Sequence, residues 1–402
     1  MKEVIVHVGL HKTATSTIQS TLARNADCML SKTGYKYPVF NLDGRTIENH
    51  SIPIYSLFSE SPSTYHINVR WDVDVQEVNK EYRRQLDECL ERHEKLIFSG
   101  EDISILSERS LAKFRDYLSN FGFRVRVISF VRRPYSFLCS MLQQNIKGGQ
   151  ESLSKISVPK ASLLIRNLKG IFPEIEFYSF ERACQSSFGP VGFFLELIAA
   201  EQATYINTVN ANEGLGDETV RLINYINSQY PSIVDGKLNP LRDDIHHFNS
   251  ELDFDDRKFL LSDDELQAVR AELEEENNAL RDMLGDECCD KDFPTNTGGG
   301  FNHEMLTCLV RQSQQLPFHI RLCIYDYLRN RGVHAIDCFK GLLMGGQEME
   351  FDAVTLRDTA LYWEGRDIEV AYKFMCMAKK LRPHGELISK KVEVYKEALE
   401  LE

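Results

Sequence analysis

The residues best suited to chemistry lie near the start of the chain. There Gly9-Leu10-His11-Lys12-Thr13-Ala14-Thr15-Ser16-Thr17 follows the apolar run Val4-Ile5-Val6. A glycine ends the run, a lysine and a row of small hydroxyl residues follow, and a helix-forming stretch begins. This is a pattern for holding an oxyanion. Unpaired N–H groups at a helix N-terminus point at such a ligand, the helix dipole favours negative charge, and Lys12 adds a full positive charge. The loop differs from the nucleoside-triphosphatase pattern G-x-x-x-x-G-K-[ST], because His11 stands where that pattern needs glycine.

A second segment has a related layout. Phe123 to Val131 reads as a buried strand, and Arg132-Arg133-Pro134-Tyr135-Ser136 turns into a helix running to Gln144. Pro134 suits the first helical turn, where its missing N–H costs nothing. An arginine fork can grip phosphate through two N–H groups, and a serine hydroxyl on the following helix adds a donor.

Together these segments resemble the PAPS-dependent sulfotransferases, PAPS being 3′-phosphoadenosine-5′-phosphosulfate. Lys12-Thr13-Ala14-Thr15-Ser16 is similar to their 5′-phosphosulfate loop, K-[ST]-G-[ST]-[ST], with Ala14 in place of glycine. Alanine there implies a residue that does not need positive φ. The resemblance implies that Arg132 and Ser140, eight residues apart, hold the 3′-phosphate. Arg133 reads as a structural ion-pair residue or, second to that, as a direct contact of the cofactor. Weaker similarities follow in the family's order: Ser99-Gly100-Glu101, Glu176 to Glu181, Asn210-Ala211-Asn212-Glu213, and Glu276 to Leu280 with Phe293-Pro294. The resemblance covers about residues 1–294.

The resemblance implies transfer of a sulfuryl group from PAPS to a hydroxyl acceptor, a carbohydrate, glycolipid or small metabolite, with PAP as the product. Lys12 would stabilise charge on the departing phosphate. Thr13, Ala14, Thr15, Ser16 and Thr17 would hold the 5′-phosphate. Glu101, placed after a strand, is the expected base, and His11 is its rival. No metal is required, since lysine, arginine and backbone donors can meet the charge. Two other readings stay open: a P-loop kinase, and a non-catalytic protein that binds PAPS or PAP.

The elements that must position these residues are four apolar runs at about 3–8, 95–99, 124–131 and 175–180, separated by helical stretches. Continuous apolar strands of this kind predict a parallel sheet covered on both faces, a three-layer α/β domain. Ligands of such sheets bind at the carboxyl ends of the strands, where both motifs and Glu101 would lie. Residues 41–75, with Tyr55, Phe58, Tyr65, His66 and Trp71, read as irregular, either an acceptor-binding lid or a surface excursion. Residues 232–262 read as a second irregular insertion, whose His246-His247 pair lacks metal-ligand spacing. Residues 262–285 read as a helix with an apolar stripe of Leu266, Val269, Leu273, Leu280 and Leu284 and a solvated face at Glu272–Glu276.

Residues 295–301 read as a Gly-rich linker. Beyond it, residues 302–402 read as a helical domain. Tyr362, Ala371, Met375, Ala378 and Pro383 fit half of a tetratricopeptide-type repeat, and Ala335 to Phe339 offers a second match. This region is the expected site for a protein or substrate partner.

The 402-residue chain carries a formal net charge of -13, which argues against nucleic acid or anionic lipid as a partner. Met1-Lys2-Glu3 runs directly into the first strand, with no secretory signal, and no apolar run reaches membrane-spanning length. A cytoplasmic enzyme is expected. The 10 cysteines show no C-x-x-C pair, and Cys28, Cys89, Cys139, Cys184 and Cys323 read as buried small hydrophobes.

Overall fold

The apolar runs pair into one parallel sheet. A computed structural model describes residues 2–153, 156–199, 214–234, 236–242, 252–296, 298, 300–333, 353–365 and 368–400. The chain divides into two compact units, Met1–Ile245 with Asp255–Gly299, and His246–Phe254 with Gly300–Glu402.

In the first unit, β1 (Glu3–His7) leads through a loop into α1 (Thr15–Arg24) and α2 (Ala26–Thr33). The hairpin β2 (Phe40–Leu42) and β3 (Arg45–Ile47) precedes α3 (Ser51–Phe58), α4 (His66–Trp71) and α5 (Val75–Arg92). Then come β4 (Lys95–Ser99), α6 (Glu108–Asn120), β5 (Arg124–Val131), α7 (Pro134–Lys147) and α8 (Ala161–Ile171). They are followed by β6 (Glu176–Ser179), α9 (Phe180–Ala183), α10 (Gly189–Ala199) and α11 (Asp217–Gln229). The short pair β7 (Ile233–Val234) and β8 (Lys237–Leu238) and the long α12 (Asp263–Leu284) complete the unit.

The sheet order is β4-β1-β5-β6, and every pairing is parallel, with Val4 beside both Leu96 and Val125, and Ile128 beside Glu176. Side chains alternate between two apolar layers. Val4, Val6, Leu96, Phe98, Val127 and Val131 join a core built with α5, α6 and α8. Ile5, Ile97, Ile128 and Phe130 join another built with α1 and α10. Both faces of the sheet are therefore covered, which is why the strands are largely apolar; only the less buried start of β5, Arg124-Val125-Arg126-Val127, alternates. The four strands fall within a residue of their expected bounds, and all four carboxyl ends lie on one edge.

Several expectations are corrected. Residues 41–75 are not irregular. They form the hairpin, α3 and α4, with Phe58 and Tyr65 buried. The hairpin turn is Asp43-Gly44, both at positive φ (50° and 79°), the backbone that a two-residue type I′ turn requires. The Glu272–Glu276 run is not wholly solvated. Glu276 is 2% exposed and accepts hydrogen bonds from Ser162 N–H at 2.7 Å and Ser162 Oγ at 2.8 Å, tying α12 to the first turn of α8. Leu284 is only half-buried, unlike the rest of its stripe. Ser262 and Glu265 form a reciprocal capping box at the start of α12. Cys184 is exposed, and Cys28 and Cys89 are half-buried. Asn210 to Glu213, His246, His247 and Ala335 to Phe339 lie outside the described residues.

The second unit contains α13 (His303–Ser313), α14 (Phe318–Asn330), α15 (Ala353–Trp363), α16 (Ile368–Leu381) and α17 (Glu386–Ala398). Ala360, Trp363, Ala371, Met375, Ala378 and Tyr395 pack in its core. Asp253 and Phe254 belong with this unit: Asp253 N–H donates to Gln312 Oε1 at 3.0 Å, and Phe254 stacks on Phe301. Among the described residues no helix is long and apolar enough to cross a membrane.

Candidate active site

The loop leaves β1 at His7 and enters α1 at Thr15. Val8 N–H donates to the Ile128 carbonyl at 2.9 Å, tying the loop to β5. At residue 9 a Cβ would lie 2.1 Å from Thr15 Oγ1, so only glycine fits. Thr13 is fully buried and its hydroxyl donates to the Leu10 carbonyl at 2.5 Å. Thr13 and Thr15 therefore build the loop from within, while Ser16 is exposed and Thr17 half-buried.

Lys12 and Ala14 both adopt positive φ, 67° and 59°. This overturns the expectation that alanine marks a position free of that need. Left-handed residues in a tight loop curve successive N–H groups into an anion-binding concavity. The backbone N–H groups of His11 to Ser16 donate to no acceptor among the described residues, and α1 has no side-chain cap. Thr15 Oγ1 is buried without a partner. Unpaired donors on this scale fit an oxyanion of the phosphate type.

Arg132 follows β5 directly and reaches the same loop. Its Nη1 donates to the Lys12 carbonyl at 3.0 Å and its Nε to Ser136 Oγ at 2.8 Å. Ser140, one turn further along α7, is half-buried, and its hydroxyl makes no hydrogen bond among the described residues. Arg133 turns elsewhere. Its backbone N–H donates to the Glu181 carboxylate at 3.2 Å, while its Nε is buried without a partner. The expected ion pair of Arg133 is absent among the described residues.

Lys12 Nζ donates to Gln144 Oε1 at 2.8 Å. Burial lowers the Lys12 ammonium from its ordinary value, Glu101 opposes that, and Lys147 and Arg132 add to it. Burial also lowers Arg132. Three cations thus converge on the loop.

Glu101 sits on the turn after β4. The turn can close on the first residue of α3 only because residue 100 is glycine: a Cβ there would lie 2.5 Å from Ser51 N. Asp102 N–H donates to Ser51 Oγ at 3.0 Å. The Asp102 carboxylate accepts from Tyr65 Oη at 2.7 Å and lies 3.7 Å from His11 Nε2. The donor atoms of His11, Glu101 and Asp102 all fall within 4.8 Å of one another. Within the trio, Asp102 accepts from Tyr65 and faces His11. Burial raises the Glu101 carboxyl above its ordinary value, His11 lowers it, Asp102 raises it, and Lys12 and His66 lower it. Tyr65 stacks on Tyr55 with ring centroids 4.4 Å apart and sets its edge to His66.

His11 to Ala14, Glu101 and Arg132 follow the carboxyl ends of β1, β4 and β5, while Thr15, Ser16 and Thr17 lie in α1 and Ser140 in α7. Tyr65 was read only as part of the 41–75 segment, and Asp102, Ser136, Gln144 and Lys147 were missed. The last three had a signal, because Ser136, Ser140, Gln144 and Lys147 recur at helical spacing and mark one face of α7. Asp102 had only its adjacency to Glu101. No family model matches the chain, and no curated protein or solved structure matches it either.

Proposed function

We propose that the first unit forms a P-loop-like sulfotransferase domain that moves a sulfuryl group from PAPS to a hydroxyl acceptor of the carbohydrate, glycolipid or small-metabolite class. The observation that carries this reading is the bond from Arg132 to the Lys12 carbonyl. It couples the second motif to the loop, so one ligand bearing anionic groups at both ends can span them. The parallel order β4-β1-β5-β6, with the loop on a central strand, supports the same reading.

PAPS supplies the activated sulfuryl group; the chain supplies position and charge. The unpaired N–H groups of His11 to Ser16 and the Ser16 hydroxyl hold the 5′ end. Arg132 and Ser140 hold the 3′-phosphate. Lys12 exchanges Gln144 for the oxygen on which charge develops. Little covalent chemistry is asked of the protein, as in phosphoryl transfer.

The test is PAP release from PAPS with a panel of hydroxyl acceptors. Lys12→Ala should lower kcat by roughly 10²–10³ while leaving PAP affinity within about tenfold. Near-normal turnover in Lys12→Ala would remove Lys12 from the reaction.

A further inference from the structure

We infer that His11, Glu101 and Asp102 form a binding site for a divalent first-row transition-metal ion. β1 and β4 are parallel neighbours, with His7 beside Ser99. His11 in the loop after β1 and Glu101-Asp102 after β4 therefore meet at the carboxyl edge. One donor atom from each of the three lies within 4.8 Å of the other two. The spacing suits metal ligands better than hydrogen bonds. His11 Nε2 stands 3.7 Å from Asp102 Oδ1, too far for a hydrogen bond. Two donors so placed, each about 2.1 Å from a shared ion, subtend about 120° at it, close to the tetrahedral angle.

The donors are anchored from outside and free on the side where an ion needs them. Asp102 is 6% exposed. Its Oδ2 accepts from Tyr65 Oη at 2.7 Å and its N–H donates to Ser51 Oγ at 3.0 Å, which leaves Oδ1 toward His11. Ligating carboxylates are commonly held by an outer hydrogen bond of this kind. Glu101 accepts from Ser104 Oγ at 2.6 Å through its backbone carbonyl, while its carboxylate accepts no hydrogen bond among the described residues. Lys12 donates to Gln144 Oε1 at 2.8 Å and not to either carboxylate. The His11 side chain is 42% exposed, which gives an ion its way in. The imidazole sets the class of ion. Mg²⁺ and Ca²⁺ take oxygen ligands, whereas one imidazole with two carboxylates suits ions such as Mn²⁺ and Zn²⁺. Three protein donors leave at least one position open for a hydroxyl or oxyanion oxygen. Sulfuryl transfer requires no ion, and the site stands whether or not the chain turns over PAPS.

The test is Mn²⁺ binding to the full chain after chelator treatment, read by loss of the free-ion EPR signal and by isothermal titration calorimetry. One saturable Mn²⁺ per chain is expected, with Zn²⁺ competing for it and Mg²⁺ and Ca²⁺ binding roughly tenfold or more weakly. His11→Ala and Glu101→Gln each withdraw a donor and should weaken Mn²⁺ by about tenfold or more. Tyr65→Phe keeps all three donors but releases the Asp102 carboxylate, and should weaken Mn²⁺ by roughly 10–100-fold. Carboxylates elsewhere on the surface can bind Mn²⁺, but their affinity does not respond to His11→Ala. No saturable Mn²⁺, or an affinity unchanged in His11→Ala, overturns the inference. Mg²⁺ binding as tightly as Mn²⁺ overturns the transition-metal assignment. His11→Ala alters an exposed side chain, so it decides alone should another variant fail to fold.

Discussion

Two residues in the left-handed region make the loop, and neither is glycine. Ala14 at φ 59° carries a Cβ where glycine has none, a conformation that costs roughly 1–2 kcal/mol for an L-residue. Ala14→Gly should relieve that strain but add freedom to the unfolded chain, which returns about 0.4–1 kcal/mol. The expected net is a gain of about 0.5–1 kcal/mol in urea denaturation. A loss of stability would mean that the loop relaxes around alanine. The tight turn from β1 into α1 was legible, because a glycine and small side chains after an apolar run mark one. The sign of φ was not, since alanine gives no signal for it. Nor was the burial of Thr13 and Thr15, because a threonine reads alike whether it faces the ligand or braces the turn.

Elements carry the site through their ends, and the start of α7 shows how. Its second residue, Tyr135, donates its N–H to Asp290 at 2.8 Å, and Asn277 of α12 binds the Asp290 backbone on both sides. Burial raises the Asp290 carboxyl to about 6, Glu181 pushes the same way, and Tyr135, Arg133 and Lys258 oppose. A carboxyl raised on folding favours the folded state when protonated. Its contribution is complete below the unfolded value of 3.8 and is lost as pH rises through about 6. Asp290→Asn keeps an acceptor for Tyr135 and has no charge to bury. At pH 8 the variant should be more stable than wild type by at most about 3 kcal/mol, with the difference vanishing near pH 4. Urea midpoints at the two pH values check this, and a variant weaker at pH 8 would contradict it. The four strands were legible as apolar runs bounded by polar turns. Residues 41–75 were not, because α3 is buried nearly all round and has no amphipathic period. The Asp43-Gly44 signal for a hairpin was there to be read.

At the scale of the molecule, the first unit places two buried histidines beside Ser99 at the carboxyl edge. His7 Nδ1 pairs with Ser99 Oγ at 2.9 Å, and His50 Nδ1 accepts from Ser99 N–H at 2.9 Å. Burial lowers His7 to about 3 and His50 to about 4. Both remain neutral when folded while the unfolded chain takes up protons below 6.5. Their contribution is complete above that pH and is lost as pH falls toward 3–4. Two protons correspond to a slope of up to about 2.7 kcal/mol per pH unit, and Asp290 opposes with one. Unfolding midpoints from pH 7 to 5 should fall steeply, and a flat profile would contradict the neutral pair. The sheet was legible from sequence because each of its strands is a local apolar run. The meeting of Asp102, Tyr65 and His11 was not, because it joins three segments that only the fold brings together.

The most direct test of the account is a thermal-shift titration with PAP beside AMP, ADP and ATP. Saturation at about 100 times the dissociation constant stabilises a protein by roughly 2.7 kcal/mol. The account predicts stabilisation by PAP, little by the nucleotides that lack a 3′-phosphate, and loss of the PAP effect in Arg132→Ala and Ser140→Ala. Stabilisation by ATP without PAP would contradict it and bring a kinase forward in its place.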